Sequence, residues 1–259
     1  MSTEWAYKSA VELQQALTSG EITSRGLVEY FKTRMEQVNP SLNAIVASDF
    51  DGALARADEA DAARAKGEHW GPLHGIPMTI KDTFEVVGMP CTAGSPSLAK
   101  HMPKHNAFTV QLLIDAGAIM FGKTNIPLFA GDIQSFNKVY GVTNNPWDVA
   151  RTPGGSSGGA ASALASGMTP IELGSDLAGS IRTPSHFCGT YGHKPTHGII
   201  SGRGHIPGPP GMLLEPDLAT PGPMSRSADD LDLMMDVLAV PGPLMGNSWS
   251  LTLPNSDKK

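Results

Sequence analysis

The 259-residue sequence predicts an α/β fold, a sheet covered by helices on both faces and preceded by an N-terminal helical segment. Three observations predict it. The first seventy residues place apolar side chains at helical spacing. Beyond them, short apolar stretches alternate with helical patterns. The glycines and prolines are also unevenly spread. Residues 151–223 hold 15 of the 29 glycines and 10 of the 21 prolines, in a stretch too varied for a linker, which reads as tight loops.

Taken in order, Ser9 and Glu12 have capping-box spacing and open a helix with Leu13, Ala16 and Leu17 on one face. A second helix starts near Ser24, carries Leu27, Tyr30, Phe31, Met35 and Val38, and is expected to end before Pro40. A third, alanine-rich helix runs from Ala53 to about Lys66, with Gly67 as its stop. Strand-like stretches follow at Ile76 to Ile80 and Ala118 to Phe121, around a helix from about Ala107 to Ala116. A small-residue helix is expected at Ala160 to Ala165, and a late one capped by Ser227 presents Leu231, Met234, Met235 and Leu238. The divisions read as a helical segment 1–67, a core 68–240, and a linker-like tail 241–259 containing Pro-Gly-Pro and Trp249.

The formal charge of −6 and the absence of a basic run argue against a nucleic-acid partner or an anionic membrane surface. No apolar run approaches the ~20 residues of a membrane helix, and the start lacks a signal-peptide pattern, so a cytoplasmic location is expected. Cys91 and Cys188 are too few for a disulfide framework and read as small apolar residues.

Gly117 to Thr124 satisfies the Walker A pattern letter for letter, but in the wrong context. Gly117 ends a helix, the intervening residues are strand-like, and Pro127 follows too soon for a helix to open on a phosphate. The run Gly154-Gly-Ser-Ser-Gly-Gly159 is either a plain turn or a loop whose N–H groups face an anion or a reacting oxygen. A second serine-bearing loop, Gly174 to Arg182, could converge N–H groups on a developing oxyanion. Neither serine has a histidine at a fixed spacing, and His186, His193, His197 and His205 match no metal-binding pattern. A serine without histidine needs another base, and a desolvated lysine can serve. Lys81, at the end of an apolar stretch, is either that base or an ordinary strand-end lysine. Asp82 would point to the opposite face and need not pair with it.

Seven pieces in order now resemble the amidase-signature enzymes. They are Gly75 to Asp82, Thr92 to Ser95, Gly122 to Asn125, Asn145 to Asp148, Arg151 to Gly159, Gly174 to Arg182 and Gly192 to Thr196. The resemblance spans about residues 70–240 and implies a mixed sheet of the amidase-signature type. It also implies a Ser–cis-Ser–Lys triad, with Ser180 as nucleophile, Ser156 behind a cis peptide bond as bridge, and Lys81 as base. Backbone N–H groups of Leu177, Ala178, Gly179 and Ser180 would hold the oxyanion, and Ala130 falls at an acyl-channel position. No metal or organic cofactor is implied.

Ala178 departs from the family's usual glycine, and family members continue well beyond the position of Lys259. The implied activity is hydrolysis of a small-molecule amide through an acyl-enzyme. The stretch His186 to Pro210 resembles the branch acting on amide oligomers, including cyclic ones, and similar enzymes cleave aryl amides, esters or carbamates. The alternatives are a non-catalytic scaffold and the glutaminase component of a glutamine amidotransferase, its A subunit. The partners left open are a homo-oligomer and a complementing C-terminal fragment.

Overall fold

The computed structural model describes residues 4–206, 217–242, 246, 248 and 250–252. Pro207 to Pro210 and most of the tail, including Trp249, lie outside them. Helix α1 (Ala10–Ser19) opens on the expected capping box, Ser9 accepting from the Glu12 N–H while Glu12 accepts from the Ser9 N–H. Helix α2 (Ser24–Leu42) does not stop before Pro40 but runs through it. Pro40 stands in the last turn, where its missing N–H removes little of the helical ladder, and buried Leu42 anchors the extra residues. Asn43 then ends the helix in the left-handed conformation, its N–H donating to the Asn39 carbonyl at 2.7 Å. Strand β1 (Ile45–Ser48) follows, an element too short, at four residues, to show a periodicity. Helix α3 (Phe50–Ala65) starts three residues earlier than expected because Asp49 caps it, accepting the Gly52 N–H at 2.9 Å.

The rest of the chain supplies β2 (Pro77–Lys81), α4 (Phe108–Asp115), β3 (Ile119–Thr124) and a small hairpin, β4 (Phe136–Asn137) with β5 (Gly141–Val142). It continues through α5 (Gly158–Ala165), β6 (Ile171–Asp176), α6 (Arg182–Cys188), β7 (Tyr191–Gly192), β8 (Thr220–Ser225) and α7 (Ala228–Leu238). The Walker-like letters of Gly117 to Thr124 lie along a helix end and β3 rather than around a phosphate loop.

The main sheet has the order β1-β3-β2-β6-β8-β7. Its centre, β3-β2-β6, is parallel, whereas β1 pairs antiparallel with β3 and β8 antiparallel with β6 and β7. It is a mixed sheet, as the resemblance implied. β8 escapes a pattern reading because Pro221 and Pro223 interrupt it. The prolines cost the β6–β8 ladder nothing. The Pro223 carbonyl faces the other way, accepting the His193 N–H at 3.0 Å, so its missing N–H also lies on the side away from β6.

One large core gathers Leu13 of α1, Phe31 of α2, Ala57 of α3, Leu113 of α4 and Met234 of α7 around Ile80, Phe121 and Leu173 of the sheet. A smaller core sets Ala160, Ala161 and Leu164 of α5 against Ile181, Cys188 and Met224. Along β2 the large core receives Met78 and Ile80, while Thr79 and Lys81, which alternate with them, meet polar partners. The first turn of α5 approaches the sheet at Gly159. A Cβ there would stand 2.6 Å from the Asn125 carbonyl oxygen and 2.8 Å from that of Ala44. Because both are backbone atoms, Gly159→Ala is expected to destabilise the fold by about 2–3 kcal/mol, read as a lower urea midpoint at unchanged slope.

Candidate active site

The groups singled out in the sequence converge at the carboxyl ends of the parallel strands. Lys81 ends β2, Asp176 ends β6, and the Gly-rich loop enters α5 between them in sequence. Lys81 is fully buried, and its Nζ lies 2.7 Å from Ser156 Oγ. The same amine lies 3.0 Å from Ser175 Oγ and 3.3 Å from the Ser175 carbonyl. Burial pushes its pKa down to about 7, against the opposing pull of Asp176 and Glu172. Lys81 is thus a desolvated amine within hydrogen-bonding distance of a serine hydroxyl.

Asp82 does turn away from Lys81. It pairs with buried Lys123 at 3.8 Å and accepts from the backbone N–H and hydroxyl of Thr92. Lys123 Nζ also donates to the Phe84 carbonyl.

Ser156 follows a cis peptide bond, Gly155–Ser156, and is buried with Ser157. The loop fits closely against its surroundings. A Cβ on Gly155 would stand 2.8 Å from the Gln134 nitrogen, and one on Gly154, where φ is +83°, 2.8 Å from Pro184 Cα. Ser135 Oγ, in the same layer, accepts the Gly158 N–H at 3.0 Å. The Ser157 N–H donates to the Ser180 carbonyl at 3.1 Å, which sets the two serine loops side by side. Ser180 itself is half-buried.

The loop that carries Ser180 is shaped by one carboxylate. Asp176 accepts the N–H groups of Gly179 at 2.8 Å, Ile181 at 3.0 Å and Arg182 at 3.2 Å. The Arg182 guanidinium adds a bidentate pair at 3.0 Å through each of Nε and Nη2. Burial works against this charge, but the guanidinium and the three N–H groups outweigh it and hold the carboxyl at about 2. The Gly179 N–H is therefore engaged with Asp176, while φ of +123° at Gly179 turns the chain between exposed Ala178 and Ser180. Leu177 is 53% exposed. Ala130 sits on a separate turn, Leu128–Ala130, where Phe129 and Ala130 both take left-handed φ of 48° and 56°. That turn leads into residues 132–134, which pack on Gly155.

Several participants have no individual role marked in the sequence. Ser175 and His205 are bonded to each other, His205 Nε2 lying 2.8 Å from Ser175 Oγ. Asp176 and Arg182 stand out only as parts of a motif, although a spacing of six across a strand-to-helix turn is a usable hint. Glu172 is fully buried, facing the hydroxyls of Thr79 and Thr124. The cysteines behave as expected: burial pushes the thiols of Cys91 and Cys188 up to about 12.

A buried lysine amine is thus bonded to one serine, and the loop that carries a second serine lies beside it. Comparison with known proteins gives the family. The sequence matches the Amidase family over residues 26–253, and the chain belongs to that family. It is 40% identical over 253 residues to the A subunit of the glutamyl-tRNA(Gln) amidotransferase of Chloroflexus aurantiacus, covering 98% of this chain and 51% of that protein. The chain thus spans about half the length of the curated relatives it matches. The native peptide amidase of Stenotrophomonas maltophilia superposes with a TM-score of 0.88 at 30% identity, over 97% of this chain and 52% of that one. The substrate complex of 6-aminohexanoate cyclic dimer hydrolase gives 0.83 at 30% identity, over 96% and 49%.

Glu172 yields a prediction independent of activity. Burial pushes its carboxyl up to about 8, although Thr79, Thr124, Lys123 and Lys81 pull the other way. An unfolded glutamate releases its proton near 4.5, whereas this folded one holds it to about 8. Its contribution is thus full below about 4.5 and is lost as the pH rises to about 8. Glu172→Gln is expected to flatten that decline, seen as a smaller fall in melting temperature between pH 5 and pH 8 than in the wild type.

Proposed function

We propose that this chain carries the catalytic groups of an amide hydrolase, acting on a carbon–nitrogen bond through an acyl-enzyme. The observation that carries the reading is the fully buried Lys81 amine 2.7 Å from Ser156 Oγ. In this reading neutral Lys81 takes the Ser156 proton as Ser156 takes that of Ser180, and Ser180 Oγ attacks the carbonyl carbon. The tetrahedral oxyanion is held by the N–H groups of Leu177, Ala178 and Ser180. Gly179, bonded to Asp176, contributes the shape of the loop. One such donor is worth about 3–4 kcal/mol in the transition state. Ser156 returns the proton to the departing amine nitrogen as the C–N bond breaks. Water, deprotonated along the same path, then cleaves the ester and restores Ser180.

The substrate class we favour is an amide with an apolar acyl group, with aryl amides, esters, carbamates and amide oligomers as further candidates. Leu128, Phe129 and Leu177 are large apolar side chains about half exposed on the site's loops, and Ala130 lies on the same turn as two of them. A second reading, the A subunit of a glutamine amidotransferase, is favoured by the name of the relative from Chloroflexus aurantiacus. It predicts ammonia release from glutamine. We assign the same catalytic core to both readings and place the chain in the cytoplasm, with no cofactor.

A fluorophosphonate is expected to label the wild-type chain once, on Ser180, and Ser180→Ala to abolish labelling. Lys81→Ala should slow it by about 10²–10⁴-fold, the range for loss of a general base. A label on another residue, or none on folded wild-type protein, overturns the reading and favours a scaffold. Parallel p-nitroanilide and glutamine assays separate the two substrate classes, with a complementing C-terminal fragment as an added arm.

The rate should also depend on pH in one direction. Lys81 acts as a base when neutral, and its amine is neutral above about 7. Labelling is therefore expected to fall about tenfold per unit below pH 7 and to level above it. A rate independent of pH between 5 and 8 excludes Lys81 as the base.

A further inference from the structure

His205 lies in the glycine- and proline-rich stretch 151–223 and is left unused by the catalytic scheme, yet the structure brings it to within one residue of Lys81. Its Nε2 is 2.8 Å from Ser175 Oγ, Ser175 Oγ is 3.0 Å from Lys81 Nζ, and Lys81 Nζ is 2.7 Å from Ser156 Oγ. These contacts form an unbroken chain from His205 to the bridging serine.

Counting hydrogens fixes the direction of the chain. A neutral amine has two hydrogens and one lone pair. To receive the Ser156 proton, the lone pair of Lys81 must face Ser156 Oγ. Its two hydrogens then go to the remaining neighbours, Ser175 Oγ and the Ser175 carbonyl at 3.3 Å. Ser175 Oγ is thereby an acceptor toward Lys81, and its own hydrogen needs an acceptor elsewhere. His205 Nε2 is in place to be it.

We propose that His205, with Nε2 unprotonated, is a positioning residue that turns the Ser175 hydroxyl so that it accepts from Lys81 and leaves the lysine lone pair on Ser156. This rests on the reading of Lys81 as the base. The opposite tautomer would reverse the order. An Nε2–H would donate to Ser175 Oγ, and the Ser175 hydrogen would then turn to the lysine lone pair and compete with Ser156.

The surroundings favour the arrangement. The ring stands edge-on to Phe84 with centroids 4.7 Å apart, and the His205 N–H donates to the Gly202 carbonyl at 2.9 Å. Residues 204–206 are strapped to the segment just after β2 by Glu85 N–H to Gly204 at 3.0 Å and Ile206 N–H to Thr83 at 2.7 Å. The charged groups facing this chain are Lys81 from β2, Lys123 from β3, and Glu172 and Asp176 from β6. Burial pushes the His205 pKa down to about 3, and the two lysines add to that shift, so the ring is neutral at working pH.

The first test needs no activity. Long-range ¹H–¹⁵N spectra of the imidazoles in the intact chain at pH 7, with the His205 signal identified by its loss in His205→Gln, should show the Nδ1–H tautomer. An Nε2–H tautomer or a charged ring overturns the proposal. The second test reads labelling of Ser180 by a fluorophosphonate across pH. His205→Phe and Ser175→Ala should each slow it by about tenfold, and the double variant should be no slower than the slower single. His205→Gln, whose Oε1 can accept, should recover most of the rate. Losses that multiply in the double variant, or a His205→Phe rate and pH profile equal to wild type, also overturn it. A wild-type chain that is not labelled at all removes the reading of the site instead, and the tautomer still decides the hydrogen-bond order.

Discussion

The desolvated amine of Lys81 is the constraint on which the rest of the site depends. A lysine in water is charged and cannot accept a proton, so its use as a base requires that water and fixed negative charge both be kept from it. Three carboxyl groups nevertheless lie close by, and each is withheld by a different means. Asp82 turns to Lys123 and Thr92. Asp176 is occupied by Arg182 and three backbone N–H groups. Glu172 keeps its own proton because it is buried. What remains of their pull on Lys81 is smaller than the effect of burial, and the amine stays near neutrality.

The same constraint explains the placement of the site in the sheet. The parallel centre, β3-β2-β6, is covered by the large core and brings Lys81 and Asp176 to neighbouring strand ends. A strand end is the one place where a side chain can have a stem held by the core and a head that meets loops. The loop before α5 brings Ser156 to that point, and the loop after β6 brings Ser180 beside it through the Ser157–Ser180 bond. Glycine is needed where these backbones meet. At Gly155 the obstacle to a side chain is the backbone of residues 132–134, and at Gly179 it is the left-handed turn.

Much of this is legible in the sequence where the signal is local. The Ser9 and Ser227 caps, the helical faces, the strand ending at Lys81 and the false Walker match can each be read from a few adjacent residues. The extent of α2 is not, because the consequence of Pro40 depends on how many turns follow it. β8 is not, because its two prolines argue against a strand unless one knows that their nitrogens face away from the longer ladder. Among the site residues, Lys81, Ser156 and Ser180 lie in recognisable motifs. Ser175 and His205 are joined instead by a contact across 30 positions of sequence, which no local pattern signals. Glu172 reads like any glutamate, because only a third dimension shows that water is absent around it.

The division between buried and exposed parts also separates chemistry from selection. Lys81, Ser156, Ser157 and Glu172 are enclosed by residues of this chain alone, so the shift of the lysine toward neutrality is a property of this chain. The groups that would meet a substrate's acyl and leaving portions are open. Leu177 and Phe129 stand about half exposed, Ala178 is exposed, and Ser180 is half-buried. Anything that covers those loops, whether a substrate or a further length of polypeptide, removes water from them and strengthens the N–H donors there. It adds little around Lys81, which is already dry. The Lys81 amine is therefore set by the fold before anything binds, while the loop that carries Ser180 is completed by whatever covers it.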